Sequence, residues 1–128
     1  MKIVVGGGPR TGKTTFAHKL GVELKLPVKH TDDLIPILDW SGASQAVSEW
    51  FQRSEPCIIE GVAVWRALRK WLASHAVGKP CDTVYVLNTP MVDLSPGQDT
   101  MSKGCDTVWR QIEPELRERG VVIKEVFA

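Results

Sequence analysis

No apolar run in this sequence is long enough to cross a bilayer, which argues against a helical membrane span. Long basic runs are missing too. With 16 basic and 15 acidic residues the net charge is only +1, which offers no electrostatic footprint for nucleic acid or an anionic membrane surface. Cysteine is scarce: Cys57, Cys81 and Cys105 are odd in number, and no two lie close enough to suggest a metal-binding pair. Their even spacing marks no repeat, because the flanking residues do not recur. The opening stretch Met1-Lys2-Ile3-Val4-Val5-Gly6 turns glycine-rich too soon for an export signal. These absences lead us to expect a cytoplasmic protein with reduced thiols and neither a membrane nor a nucleic-acid partner. At 128 residues, a single domain with its own core is expected over 1–128. The oligomeric state is left open.

What is present is a glycine-rich loop near the start. Gly7-Gly8-Pro9-Arg10-Thr11-Gly12-Lys13-Thr14-Thr15 fits G-x-x-x-x-G-K-[ST], the phosphate-binding loop. Lys2-Ile3-Val4-Val5 before it reads as a buried strand, and Phe16, Ala17, Leu20 and Leu24 after it recur at helical spacing. That strand–loop–helix context is what the motif requires. The loop's amides can converge on an anion, and a helix opening near Gly12 or Lys13 adds unpaired N–H groups and a positive dipole end. Lys13 is expected on the β- and γ-phosphates of a nucleoside triphosphate and the Thr14 hydroxyl on Mg²⁺. An ordinary glycine turn explains the glycines but not Lys13 and Thr14.

Along the chain, Val28–Thr31 is a weak strand candidate followed by Asp32-Asp33. Helices are expected over Ser44–Arg53 and Val62–His75, strands over Cys57–Ile59 and Thr83–Leu87. Asn88–Gly104 carries Pro90, Pro96, Gly97 and Gly104 and reads as a mobile, lid-like loop. A helix over Thr107–Arg119, kinked or restarted at Pro114, precedes a last strand, Val121–Val126. Five strands alternating with helices imply an α/β sandwich of three layers, with a parallel sheet between helices on both faces. Ligands of such sheets bind at the carboxyl ends of the strands. The glycine loop, Asp32-Asp33, Glu60 and the loop after Leu87 all fall there.

The loop G-G-P-R-T-G-K-T-T resembles that of the small P-loop kinases, adenylate kinase and its relatives acting on small metabolites. The resemblance spans most of the chain in element order, with its specific motif confined to Gly7–Thr15. It implies a P-loop NTPase fold of sheet order 2-3-1-4-5, ATP–Mg²⁺ as donor and a closing lid. Nucleoside monophosphate kinases carry D-G-x-P-R after the third strand, where this chain has Glu60-Gly61-Val62-Ala63-Val64. Their lids carry paired arginines, where this chain has only Lys103. The departures point away from a monophosphate acceptor, and the E-G and D-D pairs look more like kinases of hydroxyl groups.

A carboxylate suits an acceptor hydroxyl, since it takes hydrogen bonds and can accept the proton. Asp32 is the first choice for that role and Asp33 the second, with a helix cap before Leu34 as the structural use of the other. Glu60 is expected to support Mg²⁺, the alternative being a solvated cap of the next helix. Lys103 and Arg110, with Arg10, are candidates to neutralise the transferring phosphoryl group, and solvated surface charge is the plainer use of each. Trp50, Trp65, Trp71 and Trp109 belong to apolar helix faces. Trp40 is placed to stack on an acceptor ring. No role is assigned to His18, His30 or His75. The function expected is an ATP-binding kinase of a small acceptor. The alternative is a nucleotide-binding ATPase or regulatory module without one. No N-K-x-D follows a strand, which argues against a GTPase.

Overall fold

The computed structural model describes residues 1–34, 40–53, 55–87, 90 and 92–126, with Trp40 by its backbone alone. Five strands are present: β1 (Lys2–Gly7), β2 (Val28–His30), β3 (Cys57–Glu60), β4 (Thr83–Leu87) and β5 (Val122–Val126). Between them run α1 (Lys13–Leu24), α2 (Trp40–Trp50), α3 (Val64–Ser74) and α4 (Pro96–Glu118), with a 3₁₀ turn over Thr31–Leu34. The sheet is parallel throughout, in the order β2-β3-β1-β4-β5. No helix among the described residues is long and apolar enough to cross a membrane.

Alternation along the strands divides the core in two. Ile3, Val5, Ile58 and Leu87 face α1 and meet Ala17, Phe16 and Leu20. Val4, Ile59, Val84 and Val86 face the opposite way, toward α2, α3 and α4. β1 sits at the centre and is buried along its whole length, as a parallel strand covered on both faces should be. Trp65 and Trp109 are almost fully buried, with ring centroids 4.4 Å apart, and join α3 to α4. Trp71 is buried and Trp50 packs against the same cluster, as expected of both. The idea that Trp40 stacks on a ligand lies outside the described side chains.

Lys2 plays a part that periodicity does not reveal. Its ammonium turns under the sheet and donates to the carbonyls of Trp50 (3.0 Å), Phe51 (2.8 Å) and Arg53. A cation thus satisfies carbonyls left open where α2 ends and meets the negative end of its dipole. Burial lowers the pKa of this amine.

Two expectations are corrected. The stretch expected to be a loop over 88–104 is helix from Pro96 onward. Proline and glycine, taken as loop signals, occupy the first turn, where a missing N–H costs nothing. Ser95 and Gln98 complete a capping box: the Ser95 hydroxyl accepts from the Gln98 amide, and the Gln98 side chain from the Ser95 amide. Nor does Pro114 divide the helix, which runs through it to Glu118. An interior proline costs about 3 kcal/mol. Val108, Trp109, Ile112 and Leu116 are buried on either side of it, at roughly 1.5–3 kcal/mol for each large apolar side chain, and outweigh that cost. Replacing Ser95 with alanine is expected to destabilise the protein by about 1 kcal/mol in urea unfolding, through loss of the cap.

Candidate active site

The site begins where β1 ends. Gly7 has φ +155°, and a Cβ there would lie 1.9 Å from the Leu87 carbonyl oxygen of β4. Only glycine lets the chain leave the sheet so close to its neighbour. The loop then turns into α1, with Gly12 in a left-handed conformation (φ +82°) at the helix N-cap. Thr11 ties the loop together through its hydroxyl, which donates to the Gly8 carbonyl at 3.0 Å.

Lys13, in the first turn of α1, is only 6% exposed, and its ammonium donates to the same Gly8 carbonyl at 2.7 Å. Burial lowers its pKa, and the nearby carboxylates of Asp32 and Glu60 draw it back up. Next to it, the Thr14 hydroxyl donates to Glu60 Oε1 at 3.3 Å. Glu60 is 1% exposed. Its Oε1 also meets His30 Nδ1 at 2.5 Å, whereas its Oε2 is buried without a hydrogen-bond partner. Asp32 sits at the start of the 3₁₀ turn, its Oδ1 accepting from the Val62 amide (3.3 Å) and the Thr31 hydroxyl (3.4 Å). Gly61 permits this crossing of segments: its φ is +139°, and a Cβ would lie 1.8 Å from Thr31 Oγ1 and 2.9 Å from Asp32 Oδ1.

Part of this assembly borders a cavity of about 540 Å³, lined by residues 9–15, Asp32, Val62, Gln98 and Met101, which Glu60 adjoins through Thr14 without lining it. A larger hollow of about 730 Å³ runs along α1 beside Tyr85. The loop amides do not reach it, so the smaller cavity is the candidate site. Both aspartates are exposed, but Asp32 lines this cavity and Asp33 does not. Asp32 and Asp33 lie within the 3₁₀ turn over Thr31–Leu34, and the expected α-helix cap before Leu34-Ile35 falls at the edge of the described residues.

Lys103 and Arg110 do not line the cavity. Lys103 shares a separate small hollow with Gly8 and pairs with Asp99 at 3.2 Å, while Arg110 pairs with Asp106 at 2.9 Å. Both are more than three-quarters exposed, and such pairs are worth only about 0.2–1 kcal/mol, so they bind neither side chain firmly. Arg10 is exposed at the cavity's rim. Val62, Gln98, Met101 and His30 were not singled out by sequence. Strand alternation could have found His30, since it and Glu60 end neighbouring strands in direct register.

A divalent cation fits this donor set. Among the described residues no three His, Cys, Asp or Glu side chains cluster, so the protein's share of a coordination shell is small. The residues able to hold the cation are Thr14 and Glu60, hard oxygen donors of the kind Mg²⁺ takes while keeping waters and phosphate oxygens. The orphaned Oε2 of Glu60 needs a donor, which a metal-bound water would supply.

The fold is that of the small P-loop kinases. Similar solved structures include shikimate kinase from Acinetobacter baumannii in complex with shikimate, at 14% identity and a TM-score of 0.57 over 99% of this chain and 84% of that one. Shikimate kinase from Aquifex aeolicus is similar at 12% identity and a TM-score of 0.51, covering 97% and 85%. Deoxyadenosine kinase from M. mycoides with bound dATP is similar at 10% identity and a TM-score of 0.51, covering 98% and 90%. No protein-family model and no curated protein sequence matches the chain.

The Gly61 crossing yields a direct test. Gly61→Ala is expected to lower stability by at least about 2 kcal/mol in chemical unfolding, since a Cβ there is both strained and in collision.

Proposed function

We propose that this chain is an ATP-dependent phosphotransferase that moves the γ-phosphoryl group of ATP to a hydroxyl of a small acceptor. The observation that carries this reading is that the phosphate-binding loop and the Asp32 carboxylate border the same cavity. One carboxylate beside the loop, Glu60, serves the cation of a triphosphate–Mg²⁺ complex, and a second, Asp32, is more than that complex needs. An acceptor hydroxyl does need one. Kinship of fold with a kinase solved with shikimate and another solved with dATP supports the reading.

In this account the loop amides from Gly7 to Thr15 and the N-terminus of α1 cradle the phosphates. Lys13 leaves the Gly8 carbonyl and places its charge on the β- and γ-phosphates. Thr14 and Glu60 hold Mg²⁺, which when bound neutralises phosphate charge. The acceptor oxygen attacks the γ-phosphorus, the bond to the bridging oxygen breaks, and ADP leaves. The hydroxyl proton passes to Asp32, whose Oδ1 is fixed by the Val62 amide and whose Oδ2 is left to meet the acceptor. Exclusion of water and alignment of the two oxygens supply most of the rate, because little covalent work falls to the protein. Lys103 and Arg110 join this scheme only by leaving Asp99 and Asp106.

The test is transfer of labelled γ-phosphate from ATP to a panel of small hydroxyl compounds. Asp32→Asn is expected to reduce transfer by about 10²–10⁴-fold, with ATP affinity close to that of wild type. Hydrolysis of ATP at equal rates in both proteins, with no acceptor labelled, would instead favour an ATPase without a small acceptor.

A further inference from the structure

The mechanism so far leaves one buried contact unused, the imidazole of His30 against Glu60. The two residues are Cα partners at the ends of β2 and β3. Alternation puts both side chains on the face of the sheet that α1 covers, with Val28 and Ile58 two residues earlier on that same face. Thr14, in the first turn of α1, comes down on this pair. Glu60 Oε1 therefore faces two protein groups, His30 Nδ1 at 2.5 Å and the Thr14 hydroxyl at 3.3 Å. The outer side of the His30 ring is backed by His18, with centroids 5.1 Å apart. Glu60 Oε2, equally buried, has no partner.

At 2.5 Å the two atoms share one proton in a hydrogen bond, which ties the ring to Oε1. That bond fixes the rotation of the carboxylate. With it, both protein contacts of the carboxylate fall on Oε1 and leave Oε2 unshared; without it, only the longer Thr14 bond orients Glu60. We propose that His30 is a positioning residue for the cation: by holding Oε1 it reserves Oε2 of Glu60 for a metal-bound water. Groups that orient a metal's immediate partners commonly change its affinity by 10–100-fold on removal. This inference rests on the nucleotide–Mg²⁺ reading above and goes further, giving the selection of cation geometry to a residue outside the phosphate-binding loop.

The experiment uses the full chain with Mn²⁺ as the paramagnetic probe and a non-hydrolysable ATP analogue, AMP-PNP. Free and bound Mn²⁺ are counted by EPR in wild type, His30→Ala and His30→Asn. Asparagine keeps a donor near the place of Nδ1. His30→Ala is expected to weaken Mn²⁺ binding at least about tenfold, and His30→Asn to recover most of the loss. AMP-PNP binding in EDTA should be the same in all three. In wild type, ring ¹⁵N spectra of the AMP-PNP–Mg²⁺ complex should find Nδ1 in a hydrogen bond, a measurement that needs no variant to fold. Equal Mn²⁺ affinity in wild type and His30→Ala overturns the inference and leaves the nucleotide reading standing. So does an Nδ1 without a hydrogen bond, or ¹⁴N coupling to Mn²⁺ that disappears in His30→Ala, the latter because it makes His30 a ligand. Failure of wild type to bind AMP-PNP with or without metal overturns the nucleotide reading and this inference together.

Discussion

The parallel register of the sheet is the constraint on which the site depends. Val5 lies opposite Glu60, His30 opposite the same Glu60, and Gly7 opposite Leu87. With those pairings, strands that are far apart in sequence end together, and each hands its last polar residue to one region. Antiparallel pairing would have scattered them. The hydrogen bonds of the ladder and the two apolar faces set the positions. The polar groups inherit them, which is why a site of buried charge can be held by a sheet whose buried residues are mostly aliphatic.

The site is costly as it stands. Lys13 carries its charge in a buried place, and the one hydrogen bond described for it goes to a loop carbonyl. Glu60 buries an oxygen that no donor reaches. Groups of this kind weaken a fold unless something answers them. In the proposed function a phosphate anion would answer the first and a hydrated cation the second, so that the ligand completes interactions the protein leaves open. Preorganisation of this sort is what makes binding energy usable in transfer.

Much of this was legible in sequence, for physical reasons that differ by element. The loop was legible because Lys13 and Thr14 follow a β-branched strand and precede a helical stripe, and few other arrangements use that pattern. Asp32 and Glu60 were legible because strand ends are where such sheets present polar groups. The first half of α4 was not: Pro96 and Gly97 break helices in the interior but start them at the first turn, and only the Ser95–Gln98 box tells the two cases apart. Pro114 does not restart the helix, because tertiary burial of Ile112 and Leu116 overrides local propensity. Once residues 96–104 are helix, Lys103 and Arg110 lie on its exposed side, paired within the helix. His30 was passed over because a lone histidine has no sequence signature. Its importance comes from its neighbour in register.

The central claim, that this loop holds a nucleoside triphosphate through Lys13, is tested most directly by calorimetry of ATP–Mg²⁺ binding to wild type and Lys13→Ala. The account predicts a binding isotherm for wild type and its loss in the variant, with both proteins folded by circular dichroism. Absence of binding of any nucleoside triphosphate to wild type, or equal affinity in the two proteins, would contradict it.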